Sequence, residues 1–443
     1  MSSIKDGWLN KQKPGKHTKW GRRYFRIIGQ DLIYYRKPGA AEQGKFNIPS
    51  LVSIEAAPEC KKQPAFKIDA GSGKVYYLVT DTPKLVNEWV EILNDIKSGK
   101  TVERKEEKKM TVEDFDILRV LGRGTYGKVQ LVRLKSTGQL FAMKSMSKRV
   151  LAENDQLDQI ITERSILLRC RHPFLVGAHY AFQTQAKLYM ILDYVPGGEL
   201  FGRLKDETTF SESRVRLYAA EIALAIGHLH SMGVIYRDLK PENILIDMQG
   251  HIRITDFGLA KEVAGDNTTT TFCGTPEYLA PEMLQRQSYT KAVDWWSFGV
   301  LIFEMLTGLP PFYDENVNSM YRAILNDNID FPSSMSADAT DFISKLLDRN
   351  VETRLGSSER DVEDVKAHPF FSSLDWKAVY DKKYEPEWVP PISDATDVSC
   401  FDEEFTGEAP GNSYVDSSLI DQDTQDAFTN FTCDTGDRLL DNL

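Results

Sequence analysis

The sequence is poor in cysteine, in net positive charge and in long apolar runs, and each shortage narrows what the protein can be. Its five cysteines, Cys60, Cys170, Cys273, Cys400 and Cys433, are scattered over 443 residues. The count is odd and no pair has metal-ligand or redox-motif spacing, so a reducing cytosol is the simple reading. A formal net charge of -11 argues against nucleic acid as a partner and leaves room only for local basic patches. No stretch is long and apolar enough to span a bilayer, and the start M-S-S-I-K-D-G-W-L-N-K lacks a signal-peptide core. Membrane contact must then come from a surface site. What is present is 41% hydrophobic residues, enough to bury a sizeable core in roughly two or three domains.

Composition divides the chain. Residues 5–98 hold strand-like runs, R-Y-F-R-I-I, D-L-I-Y-Y-R, A-F-K-I-D and V-Y-Y-L-V-T, broken by Gly and Pro. They close on Leu85, Trp89, Ile92, Leu93 and Ile96, which recur at helical spacing after Pro83. Strands followed by one helix suggest a small barrel or sandwich plugged by that helix. Residues 99–114 are densely charged and read as a linker. Residues 115–371 begin with strands and a Gly-rich turn and become mainly helical. Residues 372–443 form an acidic tail with scattered aromatics, disordered alone or wrapped on another surface.

The chemistry sits in the third region. Gly122, Gly124 and Gly127 make a G-x-G-x-x-G pattern, in which backbone N–H groups can approach phosphate oxygens without a Cβ in the way. Alone that pattern is weak, because a dinucleotide turn shares it. Here Val129, Leu131 and Val132 continue as a strand, which favours a hairpin lid over a nucleotide. Lys144 ends the apolar run F-A-M-K; a lone lysine there is most often a solubilising edge residue. The amphipathic pattern of Leu157, Ile160, Ile161, Leu167 and Leu168 carries Glu163, a partner that would let Lys144 hold α- and β-phosphates. Then comes Y-R-D-L-K-P-E-N. Asp238 can accept a hydroxyl proton, Lys240 can steady a phosphoryl group, and Asn243 can ligate Mg²⁺. T-D-F-G offers Asp256 as the main Mg²⁺ ligand, and A-P-E follows at 280–282.

These ordered motifs resemble the protein kinase catalytic domain. Tyr236 in place of the usual histidine, with Lys240 and G-T-P-E-Y, is similar to the serine/threonine branch that holds protein kinases A, B and C, the AGC branch. The resemblance implies ATP and Mg²⁺ as cofactors. It implies a nucleotide site of Leu121, Gly122, Arg123, Gly124, Thr125, Tyr126, Gly127, Lys128, Val129, Ala142, Lys144, Glu163 and Met190. Met190 would be the gatekeeper, with the hinge at 191–196, while Asp294 and the pair Glu282–Arg354 would hold the C-lobe together. Glu199, Glu242 and Glu304 match positions where basophilic relatives place carboxylates for substrate arginines, which implies targets like R-x-R-x-x-S/T. Each of them, taken singly, also reads as a solvated surface charge.

The same resemblance assigns the switches. Thr271, before Phe272, matches the activation-loop phosphosite, where a phosphate could pair with Arg237; the neutral alternative is an ordinary polar loop. F-T-N-F-T-C resembles the hydrophobic motif of this branch, with Phe428 and Phe431 docking on the N-lobe near the Glu163 helix. Thr432 would be its phosphosite, although Cys433 stands where an aromatic is usual. Ser413 lies at the distance of a further phosphosite but lacks the following proline. At the start, W-L-N-K, K-W-G-R-R-Y-F-R and the Trp89 helix resemble a pleckstrin homology domain. The implied phosphoinositide contacts are Lys11, Lys19, Arg22 and Arg23, with Gly21 where relatives carry a basic residue and Lys16 keeping the loop basic.

The expectation is therefore a multidomain α+β chain: a pleckstrin homology barrel with capping helix, a bilobal kinase fold and a C-terminal tail. Its domain order resembles the protein kinase B family. That implies a cytoplasmic, monomeric kinase recruited to the inner face of the plasma membrane and activated by upstream kinases. The alternatives are a scaffold that has lost catalysis, and an active kinase whose first domain docks proteins rather than lipid. The full set Lys144, Asp238, Asn243 and Asp256 speaks against the first.

Overall fold

The computed structural model describes residues 4–12, 20–80, 83–100, 110–124, 126–263, 268–412, 420–429 and 431–434. The chain divides into two compact units, Met1–Lys109 and Met110–Leu443, each taken by itself below.

The first unit is one antiparallel sheet with a closing helix. Its strands are β1 (Lys5–Gln12), β2 (Trp20–Ile28), β3 (Asp31–Tyr35), β4 (Glu42–Asn47), β5 (Ser53–Ala56), β6 (Ala65–Asp69) and β7 (Val75–Val79), followed by α1 (Pro83–Lys97). The strand order is β4-β3-β2-β1-β7-β6-β5. Inward positions alternate with outward ones, so Phe25 and Ile27 of β2 are buried between more open neighbours. Leu9, Phe25 and Leu32 from one half of the sheet and Ile54, Phe66 and Leu78 from the other share one apolar cluster, so the sheet curls over itself. Helix α1 completes that core with Val86, Trp89, Leu93 and Ile96, the spacing of one helix face. Burying each such side chain is worth about 1.5–3 kcal/mol.

The second unit opens with a mixed lobe. Strands β8 (Phe115–Gly124), β9 (Gly127–Leu134), β10 (Leu140–Ser147), β11 (Ala178–Gln183) and β12 (Lys187–Asp193) form a sheet in the order β11-β12-β10-β9-β8. β8 and β9 pair up to Gly124↔Gly127, so the glycine-rich segment is the tip of a hairpin. Lys144 sits opposite Met190 in the β10–β12 register, which puts the lysine at the sheet's centre. After α2 (Lys148–Glu153), helix α3 (Leu157–Arg169) buries Ile160, Glu163, Ile166 and Leu167 and leaves Ile161 exposed.

The helical lobe follows. It begins with α4 (Leu200–Glu207) and α5 (Glu212–Ser231), the latter started by Ser211, whose hydroxyl accepts from the Arg214 N–H. Short strands β13 (Val234–Ile235), β14 (Ile244–Ile246), β15 (Ile252–Ile254) and β16 (Lys261–Glu262) pair as β13–β16 and β14–β15, and they frame the catalytic loop between β13 and β14. α6 (Pro281–Leu284) leads to α7 (Ala292–Thr307), whose residues 292–305 are buried on every side. Such a helix is the axis of its lobe. α9 (Ala337–Leu346) packs on it, α10 (Val362–Lys366) and α11 (Trp376–Tyr380) pack on α5, and α8 (Val317–Asn326) packs on α6. The Arg354 guanidinium donates to both oxygens of Glu282, at 2.7 and 2.9 Å, in a fully buried fork. The tail adds α12 (Glu403–Thr406), α13 (Gln422–Ala427) and β17 (Cys433–Asp434), which pairs with β11.

Candidate active site

Lys144 projects from β10 into a carboxylate pair. Its Nζ donates to Glu163 Oε1 at 2.6 Å and lies 3.7 Å from Asp256 Oδ1. Burial pushes the ammonium toward neutrality, but the two carboxylates outweigh it and hold its pKa above the ordinary value. Lys144 is in turn the main reason Asp256 is held below the usual carboxylate range. Asp256 has a positive φ of 53° and accepts the Gly258 N–H at 3.1 Å. A non-glycine residue in the left-handed region is strained, and such strain gathers at functional positions. Gln159 of α3 donates to the Gly258 carbonyl, tying that helix to the same turn. Leu121, Ala142 and Met190 are buried in one cluster, with Val129 and Tyr126 half-buried beside them. Thr125 lies outside the described residues.

The glycine-rich hairpin has two characters. A Cβ at Gly127 would run into the Ser145 carbonyl oxygen, so glycine there is a packing demand. A Cβ at Gly122 or Gly124 would meet nothing within 4 Å, so no packing demand calls for glycine there and the space beside the hairpin is open. The cation Lys144, the open hairpin and the oxygen donors of Asp256 and Asn243 fit a nucleoside triphosphate with a hard divalent cation.

The catalytic loop is built around Asp238. Asn243 Nδ2 donates to the Asp238 carbonyl and to Asp238 Oδ2, both at 2.8 Å. With those contacts made by nitrogen, the amide oxygen is the atom with which Asn243 would hold a cation. Lys240 Nζ lies 3.2 Å from Asp238 Oδ2 and donates to Thr275 Oγ1 at 2.9 Å. Thr275 donates onward to Asp238 Oδ1 at 3.2 Å. Burial raises the Asp238 pKa despite Lys240 and Asn243. Asp238 is thus better suited to take a proton and Asp256 to stay anionic. The loop's backbone is clamped from α7: Asp294 accepts the N–H groups of Tyr236 and Arg237 at 2.9 and 2.8 Å.

The substrate side is acidic. Glu242, Glu277 and Glu304 line one cavity of about 410 Å³ together with Thr275. Glu304 is buried and accepts from the Tyr278 hydroxyl. Burial first, then Glu242 and Glu277, push its pKa up to about 8. Glu199, the N-cap of α4, is raised by partial burial and by Glu242, with Lys240 opposing. Among the described residues no ion pair joins any of these carboxylates to a lysine or arginine.

Residues 115–371 match the protein kinase domain family, and residues 392–433 match its C-terminal domain. The chain is 43% identical over 435 residues to a RAC family serine/threonine-protein kinase homolog of Dictyostelium discoideum, covering 96% of both. The chain belongs to the AGC family of serine/threonine protein kinases. It is also 50% identical over 302 residues to serine/threonine-protein kinase Sgk2 of Homo sapiens, covering 68% of this chain and 82% of that one. With serine/threonine-protein kinase gad8 of Schizosaccharomyces pombe the identity is 44% over 364 residues, 80% of this chain and 64% of that one. Residues 3–98 match the PH domain family. The kinase therefore uses ATP on protein substrates, and its first unit is a pleckstrin homology barrel with a capping helix.

In this kinase the activation segment is held by a residue the sequence did not single out. Thr271 is exposed, and its carbonyl accepts the Tyr289 hydroxyl at 2.5 Å. Arg237 donates to that hydroxyl at 3.2 Å and to the Leu259 carbonyl at 2.7 Å. Arg237 and Thr271 thus meet through Tyr289, and among the described residues no hydrogen bond joins them directly. The tail's Phe428 and Phe431 are buried against the N-lobe, and Thr432 is exposed. Arg164 of α3 donates to the Phe431 carbonyl at 2.6 Å, and Gln183 to the Phe428 carbonyl at 2.5 Å. Lys148 lies over the Phe428 ring, its pKa lowered by burial to about 8. Cys433, where an aromatic is usual, instead pairs with Ala181 in β17. Glu408 ties the tail to the hairpin through Arg123 and Lys128, at 2.7 and 3.0 Å. Ser413 lies outside the described residues.

The pleckstrin homology domain splits its basic set. Lys11 pairs with Gly21 across β1–β2, so Lys11, Gly21 and Arg23 share the face that carries Leu9 and Phe25 further in. Lys11 Nζ rests on the rings of Tyr34, Phe46 and Tyr76, at 4.0, 5.5 and 5.0 Å from their centroids. A Cβ at Gly21 would lie 3.3 Å from an Arg23 guanidinium nitrogen, so that side chain lies across the missing one. Arg22 points to the opposite face, over Trp8 at 5.4 Å. Lys16 and Lys19 lie outside the described residues. Strand alternation alone separates Arg22 from Arg23; the three-ring cage needed the pairing of distant strands.

Proposed function

We propose that this AGC kinase is a basophilic, lipid-recruited enzyme resembling protein kinase B. Lys144, Asp238 and Lys240 carry the transfer; the glycine-rich hairpin, with Leu121, Ala142, Glu163 and Met190, holds the nucleotide. Asn243 and Asp256 hold Mg²⁺, which neutralises phosphate charge when bound. Asp238 takes the proton of a serine or threonine hydroxyl while Lys240 and Thr275 keep its carboxyl turned toward the acceptor. Glu199, Glu242 and Glu304 take the arginines of an R-x-R-x-x-S/T target. Phosphorylation of Thr271 and Thr432 by upstream kinases raises activity. The domain at 5–98, joined by the linker at 99–114, brings the cytoplasmic enzyme to phosphoinositides at the inner face of the plasma membrane.

One observation carries the reading: Lys144 is within 3.7 Å of both Glu163 and Asp256, and the Asp238–Asn243 pair stands ready on the next loop. No helix among the described residues is long and apolar enough to cross a membrane, in keeping with recruitment by a surface domain. ATP-dependent phosphorylation of an R-x-R-x-x-S peptide, lost in Asp256→Ala, tests the chemistry. Retained activity in that variant would sink the mechanism. Sedimentation with liposomes, with and without phosphatidylinositol trisphosphate, tests recruitment; equal sedimentation would remove the lipid claim.

A further inference from the structure

His230, in the last turn of α5, has a carboxylate on each side of its ring. Nε2 lies 2.8 Å from Asp294 Oδ2, and Nδ1 lies 3.0 and 3.1 Å from the two oxygens of Asp361. The side chains of His230 and Asp294 are closed to solvent. A neutral imidazole carries one N–H and would set a lone pair against the other carboxylate. The geometry therefore calls for the imidazolium, with both nitrogens donating. Burial opposes that charge, but the two aspartates outweigh it and hold the pKa above the ordinary histidine value. The C-terminal end of α5 favours a cation as well. Lys291 Nζ, 2.9 Å from Asp361 Oδ2, brings the charges into balance. Trp295 donates its indole N–H to Asp361 Oδ1 at 2.7 Å and turns its ring edge-on to His230. The Arg354–Glu282 pair also reaches α7, at the Ala292 carbonyl, but is matched within itself.

Asp361 serves this contact and nothing local. It stands just before α10 with φ 53°, a strained conformation for a residue other than glycine. An aspartate at that position commonly caps the helix, yet this side chain makes no capping bond. It turns inward instead. At the other end of the network is the catalytic loop. Asp294 Oδ2, which takes His230, also accepts the Tyr236 N–H, and Oδ1 accepts the Arg237 N–H. Arg237 has φ 68° and directly precedes Asp238. Without the imidazolium, Asp294 is a buried carboxylate with no counter-charge, which favours its protonation and the release of those N–H groups. We propose that Asp361 is a positioning residue for phosphoryl transfer: by engaging His230 it keeps Asp294 holding the backbone that carries Asp238. This rests on the reading that Asp238 takes the proton of the acceptor hydroxyl.

The test uses the full-length kinase. Asp361→Asn keeps the size of the side chain and a partner for Trp295, but leaves His230 with one carboxylate. Its proton is then lost nearer the ordinary value of about 6.5. A charge favoured by its partners loses their support as pH rises through its pKa, so the loop should loosen with rising pH. The ratio of kcat in the variant to kcat in the wild type is expected to lie within about twofold of one near pH 6 and to fall about tenfold by pH 8. KM for ATP, whose site is on the other lobe, should stay within about twofold. Lys291→Met strips the same aspartate of a partner but leaves His230 flanked, so its ratio should be level. A ratio equally low at both pH values would make Asp361 a structural prop, and a level ratio near one would make it idle; either overturns the proposal. So does a fall with pH in Lys291→Met as well. Should Asp361→Asn fail to fold, the wild type decides. In long-range proton–nitrogen spectra, with His230 assigned by the signal lost in His230→Gln, both ring nitrogens are expected to carry protons at about pH 7.5. A neutral ring there overturns the proposal. If Asp238→Ala keeps the wild-type kcat, the reading of Asp238 fails, while the spectrum, taken without turnover, still decides the state of His230.

Discussion

The two sides of the catalytic cleft treat charge in opposite ways. On the nucleotide side Lys144 is compensated twice, by Glu163 and by Asp256. On the substrate side Glu242, Glu277 and Glu304 gather with no cation paired to them among the described residues. A compensated charge is pre-organised: it holds its position and gives up little when phosphate oxygens arrive. An uncompensated group waits for its partner, and at Glu304 burial and the neighbouring carboxylates oppose ionisation until one arrives. The first arrangement serves a ligand common to every turnover. The second makes affinity depend on what the substrate brings. Lys11 of the pleckstrin homology domain is of the second kind, a cation resting on aromatic faces rather than on carboxylates.

The hardest blow to this contrast falls on the compensated side. Replacing Lys144 by Met leaves Glu163 and Asp256 as like charges. It should lower kcat at saturating ATP by about a hundredfold or more, with the fold retained by circular dichroism. A variant keeping more than about a tenth of kcat breaks the comparison. Glu163→Gln, which leaves Asp256 beside the lysine, should lose less, about tenfold.

The substrate side should respond to pH. The pKa of Glu304 is raised to about 8, so below that value its carboxyl is mostly protonated and a poor partner for guanidinium. Arginine binding draws the proton off. KM for an R-x-R-x-x-S peptide should therefore fall as pH rises through about 8, and the slope should flatten in Glu304→Gln. A wild-type KM that is level from pH 6.5 to 9 would show that Glu304 is already compensated, a range chosen to span about one and a half units below its pKa.

The smallest effects belong to Lys11. Lys11→Met should weaken binding to vesicles containing phosphatidylinositol trisphosphate by about three- to tenfold, more at low salt than high. Tyr34→Leu should weaken it about twofold, by removing one face of the cage. Equal losses across ionic strength would argue that Lys11 acts through packing alone.

Much of this was legible beforehand where chemistry is local. Asp238, Lys240 and Asn243 sit within one short loop, and the segment type announces their shared use. Lys144 and Glu163 are further apart, yet strand and amphipathic helix patterns on either side forecast their meeting, and the two atoms lie 2.6 Å apart. Thr275 and Glu277 stood inside G-T-P-E-Y as marks of the serine/threonine class without a contact assigned to them, and Tyr289 escaped altogether, because the meaning of such common residues comes from contacts across the lobe. The tail's aromatics foretold wrapping, but nothing in E-A-P-G-N marked Glu408 as a partner for Arg123 and Lys128. In the first domain the basic loop read as one cluster. Strand alternation already turns Arg22 away from Arg23, and only the β1–β2 register puts Lys11 on the face of Arg23.

One consequence of the tail reaches beyond catalysis. β17 lies beside β11, which would otherwise be the outer strand of the N-lobe sheet, and Phe428 and Phe431 fill the apolar hollow next to it. An open strand edge beside an unfilled apolar groove is the surface on which protein chains add to one another. The last described residues of this kinase thus act as its own edge guard. A chain shortened before α13 would lose that guard together with the contacts of Arg164 and Gln183, and would face aggregation.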